Sequence, residues 1–104
     1  MPESGFKLPV EVEKEAGPLL AELRAGGWQV SASEYDPSAF GNWFVDLQRD
    51  GVVMRLLKDR SQYMVSGLPE EVLKAAGLWR AFDSLNELQK TVARWPIDPS
   101  LINL

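Results

Sequence analysis

Four charged residues near the middle of the chain have the types and spacing that could support chemistry: Asp46, Arg55, Asp59 and Arg60. Two guanidinium groups suit the binding of a planar anion such as a carboxylate or a phosphate. An acid and an arginine on facing strands, however, more often form a solvated cross-strand ion pair, and an Asp-Arg dipeptide is typical of a charged turn. The sequence therefore favours an ion pair and a turn over an anion-binding site.

The composition removes most other catalytic chemistry. The chain contains no Cys and no His, which excludes disulfides, thiol nucleophiles, His-based acid–base steps, Ser-His triads and structural zinc sites. Gly26 and Gly27 follow a predicted helix, whereas a phosphate-binding glycine loop leads into one. The carboxylates form no Asp-rich loop of the calcium type. We assign no catalytic, cofactor or metal-binding residue and predict that the protein is not an enzyme.

The length of the chain and its net charge limit the number of domains and the kinds of partner. The 104 residues predict one domain spanning 1–104, with residues 1–5 frayed. Fifteen acidic residues against eleven basic ones give a net charge of −4, which argues against a nucleic-acid partner. Nine of the acids and only four of the bases fall within residues 1–52.

No signal-peptide pattern and no long apolar run is present, so we expect no membrane association and a cytoplasmic location.

Alternating apolar and polar residues predict a sheet in the middle of the chain. The first strand begins at Trp28, and three more cover residues 43–48, 52–58 and 62–66. Asp50 and Gly51 form a two-residue hairpin loop, because both tolerate the positive φ of a type I′ turn. The four strands are therefore predicted to form an antiparallel meander.

The hairpin loop fixes the register of its two strands. With Arg49 facing Val52, each following pair is determined, so that Trp43 faces Lys58 and Asp46 faces Arg55. One face of the sheet then carries Trp43, Val45 and Leu47 and is predicted to face the core. The opposite face is more apolar than a solvated sheet face normally is, and it is composed of Phe44, Asp46, Val53, Arg55, Leu57 and Met64.

Helices are predicted before and after the four strands in the sequence. Pro18 suits the first turn of a helix better than its interior, so we predict a helix from Pro18 to Ala25. Residues 6–13 alternate as an added edge strand near residue 8 would. The alternative is a kinked helical turn from about residue 12, because one helical face would carry Val12, Ala16, Leu19, Leu20 and Leu23. A short helix follows Pro69, and Ser84 begins a capping-box pattern for a helix over residues 84–95. The predicted fold is α+β, with the N- and C-terminal helices on one face of the sheet.

The predicted core combines the inward residues of the sheet with the apolar stripes of these two helices. It comprises Leu20, Leu23, Trp28, Val30, Trp43, Val45, Leu47, Met54, Leu56, Tyr63, Val65, Leu85, Leu88, Val92 and Trp95.

Two short patterns carry a resemblance to known proteins. Gly41-Asn42-Trp43 begins one strand, and Asp59-Arg60 forms the turn before another. In these features the chain resembles small uncharacterised bacterial proteins that look like the immunity proteins which neutralise bacterial toxins. The similarity covers residues 18–66 and recurs around Trp79 and residues 84–95. It implies a protein partner and assigns no catalytic residue.

Three functional hypotheses follow. The first is a non-enzymatic protein-binding module, an immunity-like inhibitor whose acidic surface suits a basic toxin domain and whose half-apolar face provides the contact. The second is a small enzyme or ligand-binding domain in which Asp46, Arg55, Arg60 and Tyr63 converge on a pocket. The third is a homodimer in which the same face pairs two copies of the chain.

Overall fold

A computed structural model describes residues 8–38 and 41–94. It shows an α+β fold. In chain order, one long helix comes first, four antiparallel strands follow, and two shorter helices come last. The elements in chain order are α1 (Val10–Ala25), β1 (Gln29–Asp36), β2 (Asn42–Arg49), β3 (Val52–Asp59), β4 (Gln62–Ser66), α2 (Glu70–Ala75) and α3 (Leu85–Arg94).

The sheet is a meander with the order β1-β2-β3-β4. All seven predicted pairs between β2 and β3 are confirmed, from Trp43 opposite Lys58 to Arg49 opposite Val52. The loop takes positive φ at both of its residues, 50° at Asp50 and 83° at Gly51, as a type I′ turn requires. The turn chemistry therefore sets which side chains share each face of the sheet.

One face of the sheet is buried beneath α1 and α3. Alternate residues of β2 and β3 point into this core, and Val45, Leu47 and Met54 have no exposed surface. Trp28 is also buried. Three predicted core residues, Val30, Tyr63 and Leu85, are only partly buried and pack against the core. Trp95, the fourth exception, lies outside the described residues.

The first helix is longer than the sequence predicts. It begins at Val10, eight residues before the expected start at Pro18, so the strand interpretation of residues 6–13 is wrong from residue 8 onward. Proline inside a helix costs about 3 kcal/mol. The helix buries a continuous apolar stripe on both sides of Pro18, which offsets that cost, and the stripe consists of Val12, Ala16, Leu19, Leu20 and Leu23.

The segment between α2 and α3 is attached to the edge of the sheet. Phe82 pairs with Tyr63 through two backbone hydrogen bonds of 2.8 Å, and its own side chain is fully buried. Two residues later Ser84 accepts a hydrogen bond from the Glu87 amide at 3.2 Å, the predicted cap of α3. Among the described residues, no helix is long and apolar enough to cross a membrane.

Candidate protein-binding face

The six residues predicted on the second face of the sheet all lie on the side opposite the buried core. We call Phe44, Asp46, Val53, Arg55, Leu57 and Met64 the outer face. None of its apolar members belongs to the core or packs against it. Val53 is 46% exposed, and Phe44, Leu57 and Met64 are partly exposed. The described part of the chain therefore leaves an apolar strip at the surface.

The two charged residues of the outer face pair with each other. Arg55 donates from Nε to Asp46 Oδ1 at 2.7 Å and from Nη2 to Oδ2 at 3.0 Å, a two-point contact. The same guanidinium group lies 3.9 Å from the centre of the Phe44 ring. The hydrogen bonds to Asp46 raise the pKa of Arg55 above its ordinary value. The predicted ion pair is present, and it leaves the centre of the outer face without an unpaired charge.

Asp59 and Arg60 lie apart from this pair, since Asp59 is the last residue of β3 and Arg60 begins the turn to β4. Asn42 donates from Nδ2 to Asp59 Oδ1 at 3.2 Å and accepts a bond from the Arg60 amide at 2.9 Å. Arg60 and Ser61 both take positive φ, a strained conformation for residues other than glycine. The Asn42 side chain stabilises this turn through its bond to the Arg60 amide. The predicted charged turn is therefore held by strand β2.

The structure does not bring together the four residues of the pocket hypothesis. Asp46 and Arg55 share the outer face, Arg60 lies in the turn, and Tyr63 faces the opposite side of the sheet, where it lies beside Lys58. Within the described residues, no group of three or more acidic side chains is arranged to hold a metal ion.

At the β4 edge the outer face continues into an open groove of about 300 Å³. Its residues come from β3, β4 and the segment after α2, and the outer-face members Leu57 and Met64 belong to it. The others that matter here are Ser66, Trp79, Arg80 and Ala81. Trp79 is 52% exposed. The sequence did not predict the groove, because the Phe82–Tyr63 pairing that places its wall is not visible in the alternation pattern.

A polar cluster on the other side of the sheet was also missed by the sequence interpretation. Glu15 of α1 accepts a hydrogen bond from Trp43 Nε1 at Oε1, at 3.0 Å, and one from the Tyr63 hydroxyl at Oε2. Lys58 Nζ contacts both carboxylate oxygens, at 3.2 Å from Oε1 and 3.0 Å from Oε2. The three donors form one row across β2, β3 and β4. Glu15 therefore connects the first helix to three strands at once.

The cluster shifts the protonation equilibria of two of its members. Burial alone would raise the pKa of Glu15, but hydrogen bonds from Tyr63, Trp43 and Lys58 outweigh it and hold that pKa below the ordinary value of 4.5. Burial, followed by the bond to the Glu15 carboxylate, raises the pKa of Tyr63 from 10.0 to about 12. Both shifts favour the ionised acid beside the neutral phenol.

The Tyr63 shift leads to an optical prediction. Subtracting the absorbance spectrum of Tyr63→Phe from that of the wild type isolates the signal of Tyr63. The phenolate absorbance in this difference spectrum is expected to stay low through pH 10 and to rise near pH 12. Glu15→Gln removes the neighbouring negative charge and is expected to move that rise to lower pH. Circular dichroism at each pH controls for unfolding. A Tyr63 midpoint at pH 10 in the folded protein would contradict the hydrogen bond to Glu15.

These features define a class: a small α+β domain whose meander sheet has one face under helices and one face with an apolar strip. No protein-family model matches the chain, and neither the curated proteins nor the solved structures contain a match.

Proposed function

We propose that the protein is a non-enzymatic protein-binding module that contacts its partner through the outer face. The partner we propose is a basic domain of a bacterial toxin. In this role the protein is an immunity-like inhibitor that is located in the cytoplasm. One observation carries the proposal: the apolar strip of Phe44, Leu57 and Met64 lies outside the core, on the side of the sheet away from the helices.

The arrangement of the outer face suits protein contact. An interface needs a desolvated apolar centre with polar groups that are already satisfied, because a charge buried without a partner is costly. Here the Asp46–Arg55 pair satisfies its own charges and holds a guanidinium group against Phe44. A partner that covers this strip therefore buries apolar surface without leaving either charge unpaired.

The charge distribution supports a basic partner. The chain carries a net charge of −4, and exposed Glu34 lies on β1 directly beside Phe44. Asp36 is exposed two residues further along the same strand. Acidic residues beside an apolar strip attract a positively charged partner and speed its encounter.

The proposal predicts that replacing two apolar residues of the outer face weakens binding while the fold survives. A partner captured from source cells by the immobilised wild type is purified, and its Kd is measured by calorimetry. Phe44→Ser combined with Leu57→Ser is expected to raise that Kd by about tenfold or more, as loss of interface anchors does. Val10→Ser removes an apolar side chain that is 64% exposed on α1 and is the matched control, with an unchanged Kd.

Two outcomes would contradict the proposal. An unchanged Kd for the folded double variant would remove the outer face from the interface. A mass near twice 11.6 kDa in sedimentation equilibrium that returns to the monomer value in the double variant would assign the face to self-association.

A further inference from the structure

The first strand of the sheet has one edge with no strand beside it. β1 is the outermost strand in the order β1-β2-β3-β4, and among the described residues no backbone group outside the sheet bonds to it. The opposite edge differs, because Phe82 pairs with Tyr63 of β4. Along an edge strand, every second residue directs its N–H and C=O groups away from the sheet, where they pair readily with an added strand.

A bulge limits the part of β1 that is regular enough for this pairing. The register with β2 shifts between Val30 and Ala32, and a bulge interrupts strand pairing at that point. From Ala32 opposite Asp46 to Asp36 opposite Asn42 the register is continuous. This stretch is close to the usual strand length of about five to six residues.

The side chains of the regular stretch specify what fits beside it. Glu34 is exposed and lies on the same side as the outer face, since it is directly opposite Phe44, and exposed Asp36 follows on that side. Tyr35 lies between them on the other side and packs against the core. Basic side chains two residues apart on an added strand therefore face the two acids, and an apolar side chain between them lies beside Tyr35.

The acidic side of this stretch borders an open hollow of about 250 Å³. The hollow is lined by Glu34, Asp36, Asn42, Trp43 and Phe44. An aromatic ring beside two carboxylates suits a long basic side chain, because its apolar stem contacts the ring while its charge lies near the acids.

The two acids are available to a positive partner. Within the described part of the chain, neither Glu34 nor Asp36 forms an ion pair. The charge of Glu34 acts on Arg55, but the guanidinium group is bonded at two points to Asp46. An added strand with basic side chains thus gains two charge pairs without displacing one.

We propose that an extended segment of the basic partner pairs with β1 along residues 32–36 as a fifth strand, with basic side chains facing Glu34 and Asp36. This inference rests on the proposed function and deepens it, since it specifies how the same partner engages the edge next to the outer face. Backbone hydrogen bonds provide the affinity, and the acids select a positively charged sequence. A second copy fits less well, because its own β1 would bring two more acids to the same edge.

Hydrogen exchange of the β1 amides, followed by nuclear magnetic resonance, tests the proposal without the partner. The probe is acetyl-Thr-Lys-Val-Lys-Val-Lys-Thr-amide, and the comparison peptide has Glu in place of each Lys. In the free protein, alternate amides between Ala32 and Asp36 are expected to exchange fast. The Lys peptide at four times its Kd should slow that alternate set by about fivefold, and it should bind about fivefold or more tightly than the Glu peptide.

Methylated peptides separate strand pairing from simple attraction of charge. N-methylation of the Val amides removes donors from one edge of the peptide, and N-methylation of the Lys amides removes them from the other. Because only one edge faces β1, one methylated peptide is expected to lose binding and the other to keep its Kd within about twofold. Unchanged Kd values for both would show that charge alone binds the peptide and would overturn the proposal.

Variants of the protein test the role of the two acids. Glu34→Gln combined with Asp36→Asn is expected to abolish the preference for the Lys peptide while the folded spectrum is retained, because both side chains are exposed. Glu11→Gln combined with Glu13→Gln removes two exposed acids of the same spacing from α1 and should leave the preference intact. Loss of the preference in this control would mean that the net charge, and not the edge of β1, selects the peptide.

Exchange in the free protein distinguishes other occupants of the edge. Slow exchange of all amides from Ala32 to Asp36 would show that the edge is already paired and would overturn the proposal. The occupant is a second copy if that protection falls on dilution, and another part of this chain if it does not.

The peptide measurements do not depend on capture of a partner. If the Lys peptide protects no β1 amide while the captured partner still loses affinity on Phe44→Ser with Leu57→Ser, strand pairing is wrong and the outer face remains the interface. If the peptide binds as expected and the double variant leaves the Kd unchanged, the edge accepts a strand and the proposed role of the outer face is wrong.

Discussion

Phe82→Ala is expected to lower the free energy of unfolding by about 3–5 kcal/mol, the usual cost of removing a fully buried aromatic side chain. Phe82 is among the largest side chains with no exposed surface. Its ring contacts the Arg80 guanidinium group, and its backbone closes the only bridge between the segment after α2 and the described strands. The variant therefore leaves a cavity at the point where this segment is attached to the sheet.

Urea unfolding followed by circular dichroism measures the effect, and the melting temperature should fall by more than about 10 °C. Trp79→Ala is the matched control, since it removes an aromatic side chain three residues earlier that is 52% exposed. Its expected cost is below about 1 kcal/mol. Similar losses for the two variants would show that the segment from Leu78 to Phe82 is not anchored through Phe82.

The hairpin shows how much of this fold was available from the sequence. Asp50 and Gly51 permit one tight turn, and that turn determines the register and therefore the face of every residue in β2 and β3. The outer face followed directly from it. Local turn chemistry was sufficient here because the two strands are adjacent in the chain.

The start of α1 was predicted wrongly because a local rule competed with burial. Pro18 indicates a first helical turn, yet the helix extends eight residues before it. Val12 and Ala16 continue the apolar stripe on the N-terminal side of Pro18, and both are buried in the folded chain. A single sequence does not state how much surface the sheet will cover, so it could not show that burial outweighs the cost of the proline.

The Glu15 cluster joins residues that are 28, 43 and 48 positions from Glu15 in the chain. One signal for it was present, since the register placed Lys58 on the core side opposite Trp43. A lysine on an inward position requires an acidic partner. The sequence offered several acids in the first helix, and only the packing of α1 on the sheet selects Glu15 among them.

Glu15→Ala is expected to lower the free energy of unfolding by about 2 kcal/mol at neutral pH, because it leaves three partly buried donors without their acceptor. Glu15→Gln retains one oxygen and should cost about half as much. Glu13→Ala, an exposed position on the same helix, is the control and should cost less than about 0.5 kcal/mol. Urea unfolding measures all three variants.

The pH dependence distinguishes the carboxylate from simple packing. The pKa of Glu15 is lowered in the folded protein from 4.5, so the unfolded chain binds a proton more readily and the stabilisation is complete only above pH 4.5. As the pH falls through the folded pKa the stabilisation is lost, and the difference in stability between wild type and Glu15→Gln should shrink there. A difference that stays constant from neutral pH to well below 4.5 would mean that Glu15 anchors α1 by shape and not by charge.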